Sequence, residues 1–273
     1  MYNREMRYSS MDNIRYILEA LYLPVNKTNG FFIESGALDG QFLSNTLWLE
    51  QNFNWTGLLI EPDNLNYKDL REKNRKSWLS NSCISTELYP KKIFLRSMRR
   101  SSKAKMLSWF YRGSSLDKEI PLKYDIEFHG DFTYQESFCF PLYTYLLALN
   151  VTQVDLITLD TQGGEDSMLY NFPWEKIDVT TVVIERITDE FNSFDKKLVN
   201  FMNSKGFIIL ATVGEPDYIF IKKNHELLKN IKFETLQDRL NGTTVLFDNI
   251  TYNTMTVGLV KDRKINILKH ESE

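Results

Sequence analysis

Four short apolar runs, each with an acidic residue at its carboxyl end, constrain the fold of this chain most strongly. They are FFIES, GLLIE, VDLITLD and VTTVVIE, at residues 31–35, 57–61, 154–160 and 179–185. Continuous rather than alternating hydrophobicity is typical of strands that are buried on both faces, as in a parallel sheet. The runs therefore predict the central strands of an α/β domain.

Segments with helical periodicity alternate with these strands. We expect helices near residues 11–23, 44–51, 62–78, 141–150, 164–172 and 191–205, and further strands at 78–85, 206–213 and 217–223. This order predicts a Rossmann-like, mostly parallel seven-stranded sheet with an antiparallel final strand and helices on both faces. We expect one domain over residues 1–240 and a C-terminal tail at 241–273.

Residues 87–138 interrupt the alternation and are predicted to form a basic, hairpin-bearing insertion. A nucleic-acid or anionic-lipid surface is one interpretation of it, and a solvated face of the insertion is the more ordinary one. The net charge of −3 argues against a protein built to hold nucleic acid. The basic residues of this stretch are Lys91, Lys92, Arg96, Arg99, Arg100, Lys103 and Lys105.

The acidic strand ends predict a ligand site. Right-handed crossovers place the carboxyl ends of parallel strands at one edge, where open α/β sheets bind ligands. Glu61 ends the second strand, the position that accepts hydrogen bonds from ribose hydroxyls, and Gly36 and Gly40 permit close approach to the backbone. The spacing G-x-G-x-x-G is absent, which argues against a diphosphate. A nucleoside with a cationic end, S-adenosylmethionine, suits these features.

Three ordered motifs carry a family resemblance. The runs FIESGALDGQFLSNTL, WTGLLIEPD and VDLITLDTQGGE resemble the FkbM-type methyltransferases, particularly the animal branch that includes the protein Star. The resemblance spans roughly residues 29–217. It implies a methyltransferase fold and S-adenosylmethionine as cofactor.

The resemblance also implies roles for individual residues. Asp160 is expected near the reacting methyl group, with Gln162 and Glu165 as further catalytic residues. Gln162 stands where the family usually has glutamate, and an amide can form hydrogen bonds but cannot take a proton. The residues expected to bind the cofactor are Glu34, Gly36, Ala37, Asp39 and Gly40 for its methionine part, and Glu61 with Asp63 nearby for its ribose.

Two functions follow from these expectations. The first is S-adenosylmethionine-dependent methyl transfer to a hydroxyl of a small-molecule acceptor. The alternative is a catalytically weak, Star-like protein acting in vesicle-mediated transport of a secretory cargo protein between endoplasmic reticulum and Golgi. For Glu34, Asp39 and Glu61 the simpler interpretation is helix capping and loop solvation.

The compartment depends on Cys83 and Cys139, which are either reduced core residues or a disulfide. Five N-x-S/T sequons favour the secretory lumen over the cytoplasm, although the polar N-terminus does not resemble a signal peptide. No apolar run is long enough to cross a bilayer, so a membrane anchor would lie outside this chain. The three histidines are scattered, and we infer no metal. The sequon asparagines are Asn26, Asn54, Asn150, Asn241 and Asn249.

Overall fold

A computed structural model describes residues 9–98, 114–115, 132–185, 195–213, 217–231, 245–247, 258–261 and 264–267. The six helices are α1 (Ser9–Tyr22), α2 (Leu47–Phe53), α3 (Asn64–Glu72), α4 (Leu142–Leu149), α5 (Glu165–Tyr170) and α6 (Lys196–Ser204). A 3₁₀ helix covers Glu226–Asn230. The strands are β1 (Phe31–Ser35), β2 (Thr56–Ile60), β3 (Trp78–Ser80), β4 (Cys83–Ile84), β5 (Lys91–Met98), β6 (Ser114–Ser115), β7 (Phe132–Phe140), β8 (Gln153–Leu159), β9 (Asp178–Glu185), β10 (Phe207–Val213), β11 (Asp217–Lys222), β12 (Val245–Phe247), β13 (Gly258–Lys261) and β14 (Lys264–Ile267).

The main sheet has the order β14-β13-β12-β10-β11-β9-β8-β1-β2-β3. Between β9 and β3 in this order, each strand runs parallel to the strand beside it. β11 runs antiparallel to both of its neighbours, β9 and β10. These seven strands confirm the predicted Rossmann-like sheet with its antiparallel final strand. Three short antiparallel strands, β12 to β14, extend the sheet from the segment 241–273. The domain boundary at residue 240 stays a prediction.

The apolar runs are buried on both faces, as their composition predicts. Phe32 and Ile33 are adjacent in β1 and belong to separate clusters on opposite faces of the sheet. One cluster includes Leu18 of α1, and the other includes Leu146 of α4 and Leu198 of α6. Since successive side chains of a strand point to opposite faces, continuous apolar sequence is needed where both faces are covered.

The prediction of one strand over residues 78–85 is wrong, because the chain turns in the middle of that segment. β3 ends at Ser80 and joins the main sheet, whereas β4 starts at Cys83 and joins a second sheet. The Asn81 side chain lies in the turn, and its Nδ2 donates to the carbonyl oxygens of Glu61 at 3.0 Å and Pro62 at 3.3 Å. These bonds fix the turn against the end of β2.

The second sheet has the order β4-β7-β5-β6. Its main pair, β5 and β7, is antiparallel from Lys91 opposite Cys139 to Met98 opposite Phe132. β4 runs parallel to β7, with Cys83 opposite Cys139, and the two cysteines form a disulfide bond. The question left open by the sequence is thus answered in favour of the bridge. Within the part of the chain that the structure describes, no helix has the length and hydrophobicity to cross a membrane.

Candidate active site

The turn after β1 lies directly against the end of β8. Gly36 has φ +84°, and its N–H donates to the Ile60 carbonyl at 3.0 Å. A Cβ at Gly36 would lie only 1.9 Å from the carbonyl oxygen of Asp160, while Asp160 N–H donates to Ser35 at 3.1 Å. The structure therefore brings Gly36 and Asp160 together, and only glycine fits this close approach.

Glu34 lies beneath the turn and is almost fully buried. Its carboxylate accepts hydrogen bonds from the Ser44 hydroxyl at 2.9 Å, from Asn45 N–H at 2.9 Å and from the Thr46 hydroxyl. Burial raises the pKa of the Glu34 carboxyl, and the positive charge of Arg75 opposes that rise. Glu34 therefore orders the segment that leads into α2, which explains why that helix begins at Leu47, three residues after the predicted start.

Asp39 and Gly40 close the same turn. The Asp39 Oδ1 accepts from the backbone N–H groups of Gln41 at 3.0 Å and Phe42 at 2.7 Å. Gly40 has φ +71°, and a Cβ there would lie 2.2 Å from Leu70 Cδ1 of α3. These contacts hold the turn in a compact form against α3.

Ala37 and Lys73 add two further contacts to the turn. Ala37 is buried, and its N–H donates to the Ile60 carbonyl at 3.2 Å. The Lys73 Nζ lies 3.5 Å from Asp39 Oδ2. Ala37 thereby attaches the turn to β2, and Asp39 attaches it to Lys73, the residue following α3.

Glu61 joins the turn after β1 to the loop after β2. Its Oε2 accepts from Leu38 N–H and its Oε1 from Asp63 N–H, each at 2.8 Å. The side chain is almost fully buried, and burial raises the pKa of Glu61 to about 8. The Asn66 side chain is a third hydrogen-bond partner of Glu61, which leaves the carboxylate capacity for one further donor such as a ribose hydroxyl. Asp63 itself caps α3 by accepting from Leu65 N–H and Asn66 N–H.

The loop after β8 is held by Glu165, the first residue of α5. Glu165 Oε1 accepts from Thr161 N–H at 3.0 Å, from the Thr161 hydroxyl at 2.7 Å and from Gly163 N–H at 2.9 Å. Burial raises the pKa of the Glu165 carboxyl. Gln162 has φ +58°, and its Nε2 donates to Asp160 Oδ1 at 2.8 Å. Gln162 and Glu165 thus orient the loop that carries Asp160.

A cluster of carboxyl groups forms where β8 and β9 end and β11 begins. Glu185 is opposite Asp217 in the register of β9 and β11, and it forms a side-chain hydrogen bond with Asp160. The negative charge of Asp160, followed by burial, raises the pKa of Glu185 well above its usual range. Burial, followed by the charge of Asp160, raises the pKa of Asp217 in the same direction. Arg186, which follows Glu185 and could form an ion pair with it, lies outside the described residues.

Sequence reasoning did not identify Asp217 as a member of this cluster. The available signal was its position at the start of an antiparallel strand, because such a strand begins at the edge where its parallel neighbours end. Among the residues that the structure describes, no group of three or more histidine, cysteine, aspartate or glutamate residues could hold a metal ion.

The predicted site residues all lie on loops and strand ends at the carboxyl edge of the parallel strands. An acidic end of the second strand beside glycine turns is typical of the edge at which Rossmann-like sheets bind nucleoside ligands. The residues at this edge are Glu34, Gly36, Ala37, Asp39, Gly40, Glu61, Asp63, Asp160, Gln162 and Glu165.

The chain belongs to the FkbM methyltransferase family. The family model for the methyltransferase FkbM domain matches residues 34–209, which is more than half of the chain. Its methyl donor is S-adenosylmethionine. No curated protein sequence matches the chain.

Solved structures show a likeness at low sequence identity. TrmK of M. capricolum, in complex with S-adenosyl-homocysteine, is 12% identical with a TM-score of 0.33, over 75% of this chain and 67% of that one. The plantazolicin methyltransferase BpumL, also with S-adenosyl-homocysteine, is 10% identical with a TM-score of 0.40, over 85% and 79%. A methyltransferase from Pyrococcus furiosus is 13% identical with a TM-score of 0.35, over 81% and 87%. The likeness extends no further than the fold.

Proposed function

We propose that this protein transfers the methyl group of S-adenosylmethionine to a hydroxyl oxygen of a small-molecule acceptor. The observation that carries the proposal is the hydrogen-bonded pair Asp160 and Glu185, which lies beside the Gly36 turn. The charge of Asp160 raises the pKa of Glu185, so the two carboxyl groups can share one proton and the pair keeps an unprotonated oxygen that can accept the proton of a hydroxyl group.

The turn after β1 is assigned to the methionine part of the cofactor and Glu61 to the ribose. The cofactor supplies an electrophilic methyl group on a sulfonium centre. Gly36 and Gly40 let the turn pack closely against Asp160 and Leu70, while Glu34 and Asp39 fix the turn from within. Glu61 accepts hydrogen bonds from ribose hydroxyls, and Asp63 holds the loop that follows it.

Asp160 is assigned to the acceptor side of the reacting methyl group. The acceptor oxygen would receive the methyl group as S-adenosyl-homocysteine leaves, and the Asp160–Glu185 pair would accept the hydroxyl proton. Gln162 cannot accept that proton, so its role is to hold Asp160 through the 2.8 Å amide hydrogen bond. Alignment of acceptor and donor supplies the remaining rate enhancement.

A transfer assay with isotopically labelled S-adenosylmethionine tests this proposal. Matched pairs of small molecules that differ only in a hydroxyl or an amine serve as acceptors. We expect label on the hydroxyl members, and loss of transfer in Asp160→Asn but not in Asp178→Asn, which changes an exposed residue at the start of β9. Label confined to the amine members would contradict the assignment of an oxygen acceptor.

A second candidate, a lumenal protein that binds secretory cargo, is favoured by the Cys83–Cys139 disulfide. Disulfides persist in oxidising compartments. The sequon residues Asn26, Asn54 and Asn150 are all exposed, and they precede β1, β2 and β8, at the edge opposite the candidate active site. Glycans there would leave the site accessible. The sequons at 241 and 249 lie outside the described residues.

Glycosidase treatment of the protein isolated from its own cells tests the compartment. A decrease in mass on removal of N-linked glycans supports the secretory lumen, and an unchanged mass contradicts it. Cargo binding without affinity for S-adenosylmethionine would favour the second candidate over the methyltransferase.

A further inference from the structure

We propose that the second sheet is a working part of the cofactor site, and that Gln135 of β7 is a positioning residue for the loop that carries Glu61. The inference rests on the proposed role of Glu61 in ribose binding. Nothing in the sequence connects Gln135 with that role, since it lies in the segment predicted as an insertion. The contacts of three elements support the proposal.

The first contact is between Gln135 and the loop after β2. Gln135 Nε2 donates to the Pro62 carbonyl at 2.7 Å, and its Oε1 accepts from Asn64 N–H at 3.3 Å. Pro62 has no N–H of its own, so its carbonyl is its only backbone hydrogen-bonding group. Gln135 therefore holds the loop on both sides of Asp63 and directly after Glu61.

The second contact is between the segment after β4 and the loop that carries Asp160. A Cβ at Gly164 would lie 2.7 Å from Thr86 Cγ2, so the Gly164 backbone packs closely against the Thr86 side chain. Thr86 is fixed by Asn171 Nδ2, which donates to its carbonyl at 2.7 Å, and by Lys91 Nζ, which donates to its hydroxyl at 2.7 Å. The second sheet thus contacts the proposed ribose loop through Gln135 and the proposed catalytic loop through Thr86.

The third element is the disulfide, which joins these two contacts. β4 and β7 pair over only two positions, Cys83 with Cys139 and Ile84 with Phe140. The covalent bond between Cys83 and Cys139, together with the hydrogen bond from Ser85 N–H to the Phe140 carbonyl at 2.8 Å, attaches the segment that contains Thr86 to the strand that contains Gln135. Both cysteines are buried, and the Tyr145 hydroxyl donates to the Cys83 carbonyl at 2.8 Å.

The test is a calorimetric titration of S-adenosyl-homocysteine into wild type, Gln135→Ala and Glu136→Ala. Glu136 is the matched control, because it is the next residue of the same strand, is exposed and contacts only Lys92 among the hydrogen bonds described for it. We expect Gln135→Ala to weaken binding about tenfold, the factor for one or two hydrogen bonds. Glu136→Ala should bind like wild type.

Gln135→Glu adds a further variant to this series. It keeps the acceptor for Asn64 N–H but places a carboxylate oxygen against the Pro62 carbonyl oxygen, so its affinity should be at least as low as that of Gln135→Ala. Urea unfolding of all variants should give closely similar midpoints. Equal weakening by Gln135→Ala and Glu136→Ala, or no weakening by Gln135→Ala, would overturn the inference.

Reduction of the disulfide provides a measurement that does not depend on any Gln135 variant. Reduced wild type should bind S-adenosyl-homocysteine more weakly than oxidised wild type, and reoxidation should restore the affinity. Unchanged affinity on reduction would contradict the role of the bond. If wild type does not bind S-adenosyl-homocysteine at all, the proposed function is contradicted as well. If wild type binds it and Gln135→Ala binds it equally well, this inference alone is contradicted.

Discussion

Gly36 and Asp160 are in contact through their backbones, since a Cβ on Gly36 would lie 1.9 Å from the Asp160 carbonyl oxygen. Gly36 follows β1 and Asp160 follows β8, so the contact joins two loops that are distant in sequence. It fixes the spacing between the residues assigned to the cofactor and the residue assigned to the acceptor.

The substitution Gly36→Ala tests this contact. Gly206→Ala is its matched control, because Gly206 has φ +87° but has no atom within 4 Å of an added Cβ. Both variants bear the strain of a positive φ, about 1–2 kcal/mol. Only Gly36→Ala also bears the clash, so urea unfolding should show it to be less stable than Gly206→Ala by about 1–3 kcal/mol. Equal losses of unfolding free energy in the two variants would show that the Gly36–Asp160 contact is loose in solution.

The central strands could be predicted from sequence because their burial on both faces requires continuous apolar residues, as at Phe32 and Ile33. The turn at Asn81 could not be predicted in the same way. Its side chain is fixed by carbonyl groups of Glu61 and Pro62, which lie about 20 residues earlier in the chain. Local sequence between β3 and β4 carries no sign of that partner.

Glu61→Gln is expected to change how stability depends on pH. A carboxyl group whose pKa is raised on folding stabilises the protein most at low pH, and this contribution is lost as pH rises through the folded-state pKa. For Glu61 the loss extends from its usual value of 4.5 to about 8. Urea unfolding at a series of pH values should therefore show a smaller decline for Glu61→Gln than for wild type.

The control for this series is Glu72→Gln, at an exposed residue at the end of α3. It should preserve the wild-type decline with pH. If the stability of Glu61→Gln declines with pH as steeply as that of wild type, Glu61 is not held in the buried environment seen in the structure.

Asp160→Asn should stabilise the folded protein while abolishing methyl transfer. The charge of Asp160 raises the pKa values of Glu185 and Asp217, whose contributions to stability are lost as pH rises through those values. Removal of the charge should lower both pKa values and add about 1–2 kcal/mol to the free energy of unfolding at alkaline pH. The measurement is urea unfolding of both proteins at neutral and alkaline pH. If Asp160→Asn is less stable than wild type at each pH, the predicted stabilisation is contradicted.

Gln162→Leu tests whether the amide orients Asp160. The substitution removes the hydrogen bond from Nε2 to Asp160 Oδ1 and leaves the contacts of Glu165 with the loop in place. We expect methyl transfer to slow by about tenfold or more, as for the loss of a hydrogen bond to a charged group. The affinity for S-adenosyl-homocysteine should be unchanged, and an equal loss in affinity would assign Gln162 to the cofactor instead.

The positions of Glu61 and Asp160 at the carboxyl edge of the sheet were predictable, because in each case an acidic residue ends a predicted strand. The bonding partners of those residues were not predictable. Glu165 folds back onto Thr161 and Gly163, and this contact depends on three consecutive positive φ angles at residues 162–164. The role of Gln135 was hidden for a different reason, because it depends on the pairing of β7 with β5 and on the disulfide to β4.

We propose that the carboxyl edge of this sheet holds S-adenosylmethionine, with Glu61 on its ribose. A calorimetric titration of S-adenosylmethionine into wild type and Glu61→Ala tests it most directly. We expect a micromolar dissociation constant for wild type and an affinity about tenfold weaker for Glu61→Ala, the cost of one or two lost hydrogen bonds. Absence of binding by wild type, or equal affinity in the two proteins, would contradict it.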